Sequence, residues 1–164
     1  MSFKVAKKTI KCDVEFDMEG DNGEEINAAI VITFVRPTTT SNEEFSTLAT
    51  NHIVALQKIQ GAIEAVKDTS EDARDDSAKI VVDLKTKGNK EYQKLVSFVS
   101  ERIKGWDGVY LSDDSEPDPF TPERLQELFE TPEAKDAVIA RYRKLTAGRK
   151  EQAAKNSGKQ DEAG

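Results

Sequence analysis

The sequence predicts an α+β protein: an N-terminal antiparallel β-hairpin packed with a long helix, an α-helical C-terminal part and a disordered tail. Three observations carry this. Residues 10–19 alternate apolar and charged side chains, and a turn cluster and a second β-branched run follow. Residues 45–66 repeat an apolar position at alternating steps of four and three, the spacing of a helical seam. Thr121-Pro122-Glu123 and Thr131-Pro132-Glu133 each spell a helix start, an N-cap followed by proline and an acid.

In the first strand Ile10, Cys12, Val14, Phe16 and Met18 share one face, and Lys11, Asp13, Glu15, Asp17 and Glu19 share the other. Gly20-Asp21-Asn22-Gly23 supplies a turn. In the second strand, Ile26, Ala28, Ile30, Ile32 and Phe34 line one face, while Ala29, Val31 and Val35 on the other make it the more central strand. The hairpin spans 9–36 and Pro37 ends it. Two strands alone are marginal in water, so this pair needs a covering helix, another strand or a second copy.

Ser41 with Glu44 fits a capping box and opens a helix over 42–67. Its seam is Phe45, Ala49, His52, Leu56, Ile59, Ile63 and Val66, widened by Ile53 and Val54. That seam can cover the hairpin, pair with another helix or self-associate. Asp68 to Ser77 holds five acids and one Arg and reads as a loop or frayed end. The run Ile80-Val81-Val82 makes Lys79 to Leu84 a candidate third strand, broken by Gly88 and Asn89. A helix over 90–104 places Tyr92, Leu95, Val96, Val99 and Ile103 on one face, with Gly105 as its terminating glycine. Trp106 then sits between glycines in an acidic loop, either an anchor for that loop or an interface hot spot. Helices follow over 122–130 and 132–147, the second ending at Gly148. From residue 149 to 164 no large apolar side chain occurs, so this stretch reads as a disordered tail, and 1–148 as a single domain.

Composition limits the chemistry. The chain has 164 residues, 24 Lys plus Arg against 31 Asp plus Glu, and a net charge of −7, which disfavours binding to nucleic acid. Charged residues make up 34% and apolar ones 37%, so the core is small and long stretches are solvated. Cys12 and His52 are each alone, which removes disulfides, multi-cysteine cages and two-histidine metal motifs. There is no 18-residue apolar run and no signal-peptide pattern, so the sequence reads as a soluble intracellular protein without a membrane partner.

Each remaining constellation has a plain reading. Asp13, Glu15 and Asp17 form a solvated strand face rather than an acid pair for catalysis. A calcium loop counted from Asp17 puts Asn22 where glycine is needed and Ala28 where glutamate is needed. Asp113, Asp114, Glu116 and Asp118 read as an acidic loop before a cation site. Cys12 is a small hydrophobe, and His52 lacks partners for ligation. No phosphate loop, dinucleotide fingerprint or nucleophile elbow occurs. Seven bases and one acid between Arg141 and Lys159 suit a helix C-terminus, or an electrostatic dock to an acidic protein. The expectation is therefore a non-enzyme with no cofactor, no metal and no catalytic residue.

One stretch has a familiar order. Ile103-Lys104-Gly105-Trp106-Asp107-Gly108-Val109 is followed by an acidic spacer. Pro119-Phe120-Thr121-Pro122 comes next, then a helix with Leu125 and Leu128 and another with Ala137, Val138, Tyr142 and Leu145. Gly148 and Ala154-Lys155-Asn156 close it. This resembles the tail assembly chaperones of long-tailed bacteriophages, over about 50 residues. The resemblance implies a non-enzymatic protein that binds and solubilises the tape measure protein and helps recruit the major tail protein. It implies work in the host cytoplasm, absence from the mature virion, and a longer form made by a frameshift near the codons for Lys155-Asn156 or Gly158-Lys159. Candidate contact residues are Phe45, Leu56, Ile59, Ile63, Trp106, Phe120 and Tyr142, and a homo-oligomer is compatible. Competing readings are a structural virion component, such as a minor tail or head–tail connector protein, and a small metal-dependent enzyme.

Overall fold

The computed structural model describes residues 8–112 and 115–161, with side chains described as far as Gly148. The element order is β1 (Thr9–Glu19), β2 (Glu25–Val35), α1 (Thr39–Lys67), α2 (Arg74–Ser100), β3 (Ile103–Asp107), α3 (Pro122–Phe129) and α4 (Pro132–Asp161). It is an α+β fold. The chain divides into two compact units, Met1–Pro37 with Val99–Gly164, and Thr38–Phe98.

The first unit is a three-stranded antiparallel sheet in the order β1-β2-β3, so β2 is central as its two apolar faces require. β1 and β2 pair over their full length, from Thr9 opposite Val35 to Glu19 opposite Glu25. The turn closes with Gly20 N–H donating to the Glu24 carbonyl at 2.8 Å, and Gly23 supplies a φ of 76°. The alternation of β1 is realised: Cys12 and Val14 are buried and every odd-numbered residue from Lys11 to Glu19 is exposed. α4 covers the sheet. Ala134, Val138, Ile139 and Tyr142 are buried, and the Tyr142 ring lies 5.4 Å from that of Phe34. The Arg141 guanidinium Nε donates to the Asp13 carbonyl at 3.2 Å, tying α4 to β1. Thr121 caps α3 as expected, its hydroxyl accepting from Arg124 N–H at 3.2 Å with Pro122 in the first turn.

The second unit is a helical hairpin, α1 and α2 joined through a short 3-10 turn at Glu71–Ala73. Phe45 and Phe98 rings are 6.1 Å apart, and His52 and Tyr92 rings 5.0 Å apart. Further along, a Cβ on Gly88 would stand 2.9 Å from Ile59 Cδ1, so the helices approach closely there. These pairs step down α1 as they step up α2, which makes the hairpin antiparallel.

Four local expectations are corrected. The candidate strand at Lys79 to Leu84 lies inside α2, and neither Gly88 nor Asn89 breaks that helix. Three β-branched residues have only weak helix-opposing propensity, and the Ala, Lys and Leu around them carry the segment into a 27-residue helix. The third strand is β3 instead. It takes Ile103, Lys104 and Gly105, expected at a helix end, and Trp106, expected in a loop. Its pairing with β2 outweighs the local helical period, and a register shift opposite Thr33 and Phe34 accommodates it. The capping box is Thr38 with Ser41, one helical turn ahead of Ser41 with Glu44, so α1 starts at Thr39. Finally, α4 does not stop at Gly148 but runs to Asp161. One helical glycine costs about 1 kcal/mol, and the Arg, Lys, Glu, Gln and Ala after it are strong helix formers. Residues 162–164 of the expected tail lie outside the described residues.

Candidate functional site

The seven contact candidates fall into three groups. Tyr142 is fully buried, and Phe45 and Trp106 are nearly so, so these three build cores. Trp106 projects from β3. Its indole N–H donates to the Asp118 carbonyl at 2.7 Å, and its ring meets Phe120 edge-on at 5.2 Å. Ile59, Ile63 and Phe120 are half-buried. Leu56 alone among the seven is substantially open, at 50% exposure.

Leu56 belongs to the seam of α1, and at this level Gly88 of α2 lies against Ala55 and Ile59. The same hairpin exposes Ile53, Val54, Ile80 and Val82, the last at 61%. Two helices bury only the stripe between them, and apolar residues outside that stripe stay in solvent. A cleft of about 420 Å³ runs beside Val54, lined by Ala55, Lys58, Leu84, Lys87 and Glu91. Ile53 and Leu56 stand one turn apart on the same side of α1, whereas Ile80 and Val82, two residues apart, leave α2 on opposite sides.

The loop after β3 belongs to the first unit and is held by its own polar groups. Asp118 N–H donates to the Val109 carbonyl at 2.8 Å, and the Asp118 carboxylate accepts from Leu111 N–H at 2.8 Å. Arg124 lies 3.4 Å from the same carboxylate. Asp118 is thus committed to folding the loop. Asp113 and Asp114, the other half of the acidic cluster, lie outside the described residues. Among the described residues no group of three His, Cys, Asp or Glu side chains is placed to hold a metal ion. Burial pushes the Cys12 thiol above its ordinary pKa, against the opposing pull of the Arg141 guanidinium, so it is a poor nucleophile at neutral pH.

Sequence reasoning missed a groove of about 830 Å³ in the first unit. Phe16, Met18 and Ala28 of the sheet line it together with Tyr110, Leu111 and Leu128. Tyr110 is 56% exposed. Tyr110-Leu111, two large apolar residues inside an acidic loop, was the available signal. Among the described residues, no helix is long and apolar enough to cross a membrane. No known protein family, curated protein or solved structure matches this chain.

Proposed function

We propose that this protein is a tail assembly chaperone of a long-tailed bacteriophage. It binds the tape measure protein, keeps it soluble and helps recruit the major tail protein. It works in the host cytoplasm and is left out of the finished particle.

The observation that carries this reading is the exposed aliphatic set Ile53, Val54, Leu56, Ile80 and Val82 on a helical hairpin. An amphipathic client helix can lay its apolar face against Ile53 and Leu56, which stand one turn apart on α1. Burying a large aliphatic side chain fully is worth about 1.5–3 kcal/mol, and these are already half covered, so each adds about 1 kcal/mol. The net charge of −7 supports solubility of the loaded complex. The order of residues from Ile103 to Asn156 supports the same reading through its resemblance to the family.

Co-expression with the tape measure protein of the same phage tests this. The client is expected in the soluble fraction with the chaperone and in the pellet without it. A client equally insoluble in both overturns the reading. Mass spectrometry of purified virions is expected to find none of this chain; finding it in stoichiometric amount favours a structural component instead.

A further inference from the structure

The central strand β2 has one edge only partly covered. Backbone groups of successive strand residues point to opposite edges. Arg36 N–H donates to the Lys8 carbonyl at 2.8 Å and the Glu24 carbonyl accepts from Gly20, so even-numbered residues face β1. Val35 N–H donates to the Arg102 carbonyl at 2.7 Å, so odd-numbered residues face the β3 side. β3 reaches only from Phe34 to Val31. There Gly108, with a φ of 77°, turns the chain away, and the Val109 carbonyl is taken by Asp118 N–H. The edge at Glu25, Asn27 and Ala29 is paired by no strand of the described residues, and all three are exposed.

That open edge borders the groove described above, whose lining includes Ala28, Ala29 and Gly108. A strand added there would send alternate side chains over Phe16, Met18 and Leu128, with Tyr110 and Leu111 beside them. Its other side chains would lie on the face that carries Glu25 and, one strand further, Asp17 and Glu19. The charged residues lining the groove are Glu127 and Glu130, both acids. A smaller cleft that shares Met18 is lined by Asp17, Glu19, Glu24, Glu25 and Glu133, again without a base.

We propose that the free edge of β2 is a strand-docking site for an extended segment of a partner protein that alternates apolar and basic residues. Backbone pairing with Asn27 and Ala29 gives affinity, the groove takes the apolar side chains, and the acids select the basic ones. The exposed edge of β1 from a second copy does not fit, because its alternate residues are Asp13, Glu15, Asp17 and Glu19, and they would meet like charge. The inference concerns the first unit alone and does not depend on the chaperone reading.

The test is a titration of isotope-labelled full-length protein with a heptapeptide alternating lysine with valine and leucine, followed by NMR. Saturable amide shifts are expected at Glu25, Asn27, Ala29 and Tyr110. Binding is expected to weaken about tenfold or more when glutamates replace the lysines, or when the peptide amides that face β2 are N-methylated. Ala29→Pro is expected to weaken it similarly with little change in thermal midpoint, because that N–H bonds no other strand. Glu19→Lys with Glu25→Lys keeps the backbone edge and reverses the charge on the face that receives the lysines, so it is expected to weaken the lysine peptide about tenfold; unchanged binding overturns the charge selection. Absence of shifts along the edge, or equal binding of the N-methylated peptide, overturns the proposal. Self-association in the ultracentrifuge that is abolished by Ala29→Pro also overturns it, since the occupant would then be a second copy.

Discussion

The two units solve the same problem unequally. In the first, Ile32, Phe34, Ala134, Val138 and Tyr142 reach complete burial, because a sheet face and a helix close on each other. In the second, Leu95 is the one side chain of that kind, and Ile53, Leu56, Ile80 and Val82 remain in solvent. A sheet under a helix offers a wide, two-sided core, whereas two helices share one narrow stripe. The first unit is therefore built for stability, and the second keeps apolar surface available.

Truncating the two kinds of residue gives the largest contrast. Tyr142→Ala is expected to cost about 3–5 kcal/mol in denaturant unfolding, the range for emptying an aromatic core site. Leu56→Ala is expected to cost under about 1 kcal/mol, as its side chain is half solvated. Equal costs would mean that Leu56 is as deeply packed as Tyr142. Next, Trp106→Phe removes the indole hydrogen bond to the Asp118 carbonyl and leaves that group without its donor. A loss of about 1–3 kcal/mol is expected, with the near-ultraviolet signal of the loop altered.

The two glycines of the hairpin stand in different surroundings. Gly61 has open space where a Cβ would go, so Gly61→Ala is expected to stabilise by about 0.5–1 kcal/mol through helix propensity. Gly88→Ala places its Cβ 2.9 Å from Ile59 Cδ1, so most of that gain is lost in moving the isoleucine. A full gain at Gly88 in thermal unfolding would mean the two helices are not pressed together there.

The smallest effect concerns pH. The Cys12 thiol has a folded pKa above its unfolded value, so the native state holds the proton longer. Its stability is fully present below the unfolded thiol pKa of about 8.5 and falls as pH rises through the folded value. The stability profile of Cys12→Ala is expected to lack that fall, and alkylation of the native thiol is expected to be slow.

How much of this was legible in the sequence differs between the units too. The strand period of residues 10–19 and the proline-marked starts of α3 and α4 are local signals, and each appears where it was expected. β3 was not legible, because Ile103 and Lys104 end a helical period and Gly105 to Asp107 read as the loop after it, and the five become a strand only when β2 is beside them. The seam of α1 was visible, but which of its residues stay exposed depends on the helix opposite, and Gly88 gave no hint of facing it. The groove was invisible for the same reason: it joins residues far apart in sequence, such as Met18 and Tyr110.

The client-binding surface proposed above lies on the helical hairpin. Hydrogen–deuterium exchange of the protein, alone and co-purified with the tape measure protein, tests it most directly. Slower exchange is predicted in the peptides covering Ile53 to Leu56 and Ile80 to Val82, with the amides of Cys12 and Val14 unchanged. Protection confined to the sheet unit, or none anywhere, would contradict it.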